Sequence, residues 1–303
     1  MKIQKFISSP FAVAFLVAGW FLFIWPGHSF SEMGGKHEHP RDVHGHAHSE
    51  ESADAVMELT SEPRKIMALE PAALRFSIKN HDGDPLQGIT ISHERILHVV
   101  IISEDFSVFS HIHPEDFGPI TENMIMNARF ALQYTFPRAG RYLIAADTSA
   151  NGKHLSKQFI VTVSGKPALG TFRKDLSREK NFGAYHVVLK TAPEHVEPGG
   201  ETELEYAIDK NGNAVTDFEP YLAAPMHIAV LLTDLQRFIH AHGEVPGASP
   251  TPHVGHIHGA VQGKFGPVIK AHVTFPAKGI YVLFSEVKHQ GKIILMDFMI
   301  NVE

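Results

Sequence analysis

From about Val56 onward the chain is written in short apolar stretches of period two, separated by clusters of turn residues. Leu74-Arg75-Phe76-Ser77-Ile78 alternates apolar and polar side chains, which gives a strand one buried face and one wet face. Asn80-His81-Asp82-Gly83-Asp84-Pro85 then closes it with a turn. Further strands are expected over residues 97–102, 106–112, 130–136, 142–146 and 159–163. No stretch in this part sustains the 3.6-residue period of a helix. Many short strands with turn signals at this spacing predict an all-β fold, an antiparallel sandwich or barrel.

The second half of the chain repeats the first. His98-Val99-Val100-Ile101-Ile102 matches His227-Ile228-Ala229-Val230-Leu231, and Phe109-Ser110-His111-Ile112-His113 matches Phe238-Ile239-His240-Ala241-His242, at a constant offset of 129 residues. Phe136-Pro137-Arg138-Ala139-Gly140-Arg141-Tyr142 matches Phe275-Pro276-Ala277-Lys278-Gly279-Ile280-Tyr281 at an offset of 139. The second repeat therefore carries about ten extra residues, within 243–265, and they include His253, His256 and His258. Two copies of one sandwich are expected, over residues 58–163 and 183–303, joined by a linker over 164–182.

The N-terminal part follows other rules. Lys2 and Lys5 precede fifteen residues, 11–25, that are almost wholly apolar. That length suits a signal peptide better than a full membrane span, which needs roughly 20 residues. Residues 1–27 are read as a signal peptide or a membrane anchor, and the charge bias delivers the rest of the chain outside the cytoplasm. Residues 28–57 hold His37, His39, His44, His46 and His48 without apolar periodicity, and read as a histidine-rich flexible tether.

Composition narrows the chemistry. The 303 residues include no cysteine and 22 histidines, with a net charge of −6. Disulfides, thiolate nucleophiles, thiolate-ligated metal centres and a lipidated cysteine are excluded, and the acidic balance argues against nucleic acid as a partner. Abundant imidazole without thiol points to borderline metals such as copper(II), zinc or nickel, of which copper(II) or zinc is the expected cofactor.

Each repeat spaces its histidines identically: one His, twelve residues, then His-x-His. His111 and His113 are two apart on a strand and so share a face. A hairpin turn centred between Glu104 and Asp105 sets His98 opposite His111, and one centred between Thr233 and Asp234 sets His227 opposite His240. The expected metal ligands are His98, His111 and His113, with His227, His240 and His242 in the second repeat. Asp147 and Glu286 occupy matching places and are candidates for a further ligand, as are His289, His253, His256 and His258. Met226, next to His227, points to the opposite face and reads as core.

The phrase Asp105-Phe106-Ser107-Val108-Phe109-Ser110-His111-Ile112-His113-Pro114, followed by Phe-Pro-x-x-Gly-x-Tyr, resembles the YtkA/FixH-type and CopC-like domains of bacterial envelope proteins. The resemblance covers both repeats and implies immunoglobulin-like β-sandwiches with a copper-linked role. In the second repeat Gly243 replaces the proline after the second histidine, a departure from the phrase.

Three functions fit these features to different degrees. The first is an exported protein of the periplasm or another extracytoplasmic space. It binds copper(II) or zinc for sequestration, delivery or resistance, and its partner is a membrane-associated metal-handling protein. The second is a structural or interaction module of a membrane-associated complex. The third, a metalloenzyme, lacks a His-Glu-x-x-His motif or a Gly-rich phosphate loop, so no enzyme is expected.

Overall fold

The computed structural model describes residues 55–166, 172–247 and 263–303. The N-terminal segment, the tether histidines, and the His253, His256 and His258 insertion lie outside these residues. Among the described residues no helix is long and apolar enough to cross a membrane.

Repeat 1 contains β1 (Val56–Glu62), β2 (Pro71–Lys79), β3 (Ile89–Thr90), β4 (His98–Ser103), β5 (Phe109–Ile112), β6 (Arg129–Thr135), β7 (Gly140–Ala150) and β8 (Lys153–Val163). Repeat 2 contains β9 (Glu179–Phe182), β10 (Tyr185–Ala192), β11 (Glu201–Lys210), β12 (Asn213–Ala214), β13 (Phe218–Glu219), β14 (His227–Leu232), β15 (Phe238–His242), β16 (Val268–Thr274), β17 (Gly279–His289) and β18 (Lys292–Val302).

In each repeat two antiparallel sheets face each other. One runs β1-β2-β6, matched by β10-β11-β16. The other runs β5-β4-β7-β8, matched by β15-β14-β17-β18. This is the strand order of an immunoglobulin-like sandwich. A second hallmark agrees: the Tyr142 hydroxyl donates to the Arg138 carbonyl at 2.9 Å, and Tyr281 donates to the Ala277 carbonyl at 3.0 Å. These are tyrosine corners at the start of β7 and β17. The chain is all-β in two tandem immunoglobulin-like sandwiches.

Two expectations about boundaries change. The strand expected over 106–112 begins only at Phe109, because Ser103 N–H bonds the Val108 carbonyl and closes a four-residue loop. The last four residues of the expected linker form β9, which pairs with β10.

The strands β4 and β14 are buried along their whole length, so both faces of their sheets are covered. One face carries Val99, Ile101, Ile144 and Ala146 into the core of sandwich 1. The other carries Val100, Ile102, Phe106, Phe109, Leu143 and Ala145 against Ala229, Leu231, Leu235, Phe238, Val282 and Phe284 of repeat 2. Those two sets are the same positions of the two repeats. The sandwiches thus dock through equivalent faces, about a pseudo-two-fold axis, with Phe109 stacked on Phe284 at 4.7 Å.

Candidate metal centre

The docking face ends in histidine. His98 opens β4 on the side of Val100 and Ile102, and His111 and His113 extend β5 on the same face. The hairpin register differs from the expected one. His111 pairs with Val100, and His227 pairs with His242 where His240 was expected. The cause is the loop. Phe106 and Leu235 take left-handed backbone angles, φ 57° and 64°. The Asp105 carboxylate accepts from the Ser103 hydroxyl at 2.7 Å, the Ser107 hydroxyl at 2.8 Å and the Arg138 guanidinium at 2.7 Å. The turn therefore centres between Asp105 and Phe106. A slip of two residues keeps every side chain on its face, so the three histidines still meet.

They meet closely. His98 Nδ1, His111 Nε2 and His113 Nε2 form a triangle with 3.2 Å sides. The other nitrogen of each ring faces an oxygen acceptor. His98 Nε2 donates to the Ser92 carbonyl at 3.0 Å, His111 Nδ1 to Glu286 Oε2 at 3.0 Å, and His113 Nδ1 to Asp116 Oδ2 at 3.2 Å. Those outward bonds fix the tautomers, so the three inward nitrogens carry lone pairs. Tetrahedral zinc with bonds of about 2.0 Å holds its ligands roughly 3.3 Å apart. Three converging lone pairs at this spacing fit such a cation.

In repeat 2 His227 and His240 are held in the same way. His227 Nδ1 lies 3.3 Å from His240 Nε2, while His227 Nε2 donates to the Tyr221 carbonyl at 3.0 Å and His240 Nδ1 to Asp147 Oδ2 at 3.1 Å. The acceptors Ser92 and Tyr221 open matching turns whose next two residues, His93 and Glu94 or Leu222 and Ala223, all have positive φ. Burial disfavours the charged form of His98, His111, His113, His227 and His242. It pushes His111 down to about 4 against the upward pull of Glu286, and it drives His98, His227 and His242 well below the usual histidine value. His113 is lowered by burial as well. Burial alone would raise the Asp147 carboxyl, but the bond from His240 and nearby imidazole charge hold it below its usual value.

The two triads adjoin across the docking face. Ring centroids of His98 and His227 are 5.9 Å apart, and those of His111 and His240 are 5.4 Å apart. One coordinating nitrogen from each of His98, His111, His227 and His240 lies within 4.8 Å of the others, a group able to hold a metal ion.

Residues 50–165 and 180–303 each match the same domain of unknown function, DUF8832. The chain belongs to the DUF8832 family. No match was found among curated protein sequences. Among solved structures, domains 4 and 5 of the S-layer protein SbsC are 12% identical, over 82% of this chain and 97% of that one, with a TM-score of 0.21. The Escherichia coli adhesin FdeC is 13% identical, over 82% of this chain and 64% of that one, with a TM-score of 0.21. The bacterial integrin-binding protein invasin is 12% identical, over 80% and 39%, with a TM-score of 0.20. At these scores the likeness is weak.

The DUF8832 repeats place the remaining candidates as follows. Asp147 and Glu286, expected as further ligands, stand behind the rings as acceptors, each serving the histidine of the other repeat. His289 stands apart from both triads, with Nδ1 bonded to the Tyr185 hydroxyl at 2.7 Å and Nε2 to Asp217 at 2.8 Å. His93 was not expected. It reaches from the turn of repeat 1 to stack on His242 at 3.8 Å, and it forms a second possible metal-holding group with His227 and His242. Its counterpart in repeat 2 is Leu222, so the internal alignment gave no signal for it.

The departure at Gly243 has a local reason. In repeat 1, Pro114 starts a 3-10 turn that returns the Asp116 carboxylate to His113. In repeat 2 the backbone runs straight on, with Gly243 N–H bonded to the Met226 carbonyl at 2.8 Å. A Cβ on Gly243 would lie 2.7 Å from Ile269 Cγ2 and 2.8 Å from Met226 Cβ. His242 carries the ring of His93 stacked on its face.

Proposed function

We propose that this protein is an extracytoplasmic metal-binding protein that holds copper(II) or zinc on neutral imidazoles for sequestration, delivery or resistance. The observation that carries the reading is the 3.2 Å triangle of His98 Nδ1, His111 Nε2 and His113 Nε2, each turned inward by a bond on its far side. Nitrogen donors without thiolate suit borderline divalent metals, these two among them. The apolar stretch after Lys2 and Lys5 supports export, with a membrane-associated metal-handling protein as the partner. The carboxylates of Glu286, Asp116 and Asp147 hold ring protons of the cluster, which favours a binding role.

Calorimetric titration of the full chain with copper(II) and with zinc tests this. Tight binding that disappears when His98, His111, His113, His227, His240 and His242 are all replaced by alanine is the expected result. A second reading, a rigid structural or interaction module, is favoured by the apolar face that fastens the sandwiches. Equal heats for parent and variant would leave that reading in place.

A further inference from the structure

Each triad leans on the opposite repeat. Asp147 sits beside His98 in the ladder of β4 and β7, yet its Oδ2 takes the Nδ1 proton of His240. Glu286 sits beside His227 in the ladder of β14 and β17, yet its Oε2 takes the Nδ1 proton of His111. The exchange is reciprocal, because Asp147 and Glu286 are the same position of the repeat, as are His111 and His240. Both carboxylates are 2% exposed, so their orientation is set by packing and not by solvent.

The rings gather into two foci, one per repeat. His113 Nε2 completes the first, 3.2 Å from both His98 Nδ1 and His111 Nε2. His242, whose ring centroid is 4.6 Å from that of His227 and 4.7 Å from that of His240, belongs to the second. The foci adjoin, since nitrogens of His98, His111, His227 and His240 are mutually within 4.8 Å. Two dications at such spacing repel each other strongly in a buried setting. Two buried carboxylates beside the rings offset that repulsion, and they would be costly to bury without nearby positive charge.

We propose that the six histidines form one paired centre that takes two divalent cations, each on the triad of one repeat and each positioned by the carboxylate of the other. This rests on the metal-binding reading above and adds stoichiometry, proximity and a crossed set of positioning residues. Asp147 and Glu286 act through the rings they hold, as carboxylates behind ligating histidines do elsewhere.

The test uses the full chain and the metals alone. Copper(II) chloride should bind at two equivalents, and the loaded form should show the half-field electron paramagnetic resonance transition of a coupled pair. The crossing is read by zinc competition in chains with a single triad. With His227, His240 and His242 replaced by alanine, Glu286→Gln should weaken the remaining site about 10-fold or more, and Asp147→Asn should weaken it less. With His98, His111 and His113 replaced, the order should reverse. Glu286→Asp, which keeps the charge but withdraws the oxygen from His111, should act in the same direction as Glu286→Gln and covers the case in which the amide variant does not fold. One equivalent per chain, copper signals of isolated ions, or each carboxylate acting on its own repeat would overturn the paired centre while leaving metal binding intact. No binding of either metal would overturn both readings.

Discussion

Among these histidines the tautomer is not a free choice. Carbonyl and carboxylate oxygens only accept, so His98, His111 and His113 must carry their protons on the outer nitrogens and aim bare lone pairs at one another. In the metal-free protein this arrangement makes acid a denaturant. The folded-state values of His98, His111, His113, His227 and His242 are depressed, so below the ordinary histidine value of about 6.5 the unfolded chain binds more protons. Stability is full above that value and is lost as the pH falls from there toward about 4, where His111 itself titrates. Urea midpoints measured with a chelator present at pH 7.5 and pH 5 should differ, with the lower one at pH 5; equal midpoints would contradict the depressed values. Asp116→Asn leaves His113 without its carboxylate and should cost the first repeat roughly 10-fold in zinc affinity, measured by competition. The six clustered histidines were legible because spacing alone puts i and i+2 on one face. His93 was not, because its contact is made across the docking face from a turn whose counterpart carries leucine.

At the scale of elements, the hairpins show what a register inference depends on. Neither loop holds an Asn-Gly pair, and the turns form instead around Asp105 and Asp234 with Phe106 and Leu235 in left-handed conformations. The pairing sits two residues from the expected register, and because that slip keeps the shared face, the same histidines meet. The tyrosine corners are local enough to test singly. Tyr281→Phe removes the bond to the Ala277 carbonyl and should lower stability by about 1 kcal/mol in urea denaturation. Gly243→Ala should cost about 1–3 kcal/mol by the same measurement, since its Cβ has no room between Met226 and Ile269. Gly243→Pro, which restores the residue found in repeat 1, should cost more, because it also removes the bond to Met226.

For the whole molecule, the joint between the sandwiches decides whether there is one site or two. Alternation in β2 and β11 marks sheets with one wet face, and that much followed from periodicity. The continuous apolar runs of β4 and β14 signalled burial on both faces, which sequence patterning cannot assign to a particular neighbour. Phe284→Ala should lower stability by about 3–5 kcal/mol through the void left opposite Phe109. It should also weaken metal binding although Phe284 stands in neither triad, and titrating the variant beside its parent checks this.

The equivalence of the two docked faces makes this chain a homodimer written as one polypeptide. A single repeat that carried both halves of the contact would assemble the same centre only by meeting a second copy, so its occupancy would rise and fall with protein concentration. Tethering replaces that encounter by an effective concentration that a short linker sets in the millimolar range. Severing the chain between Phe172 and Arg178 should therefore leave a complex that holds metal when concentrated and releases it on dilution.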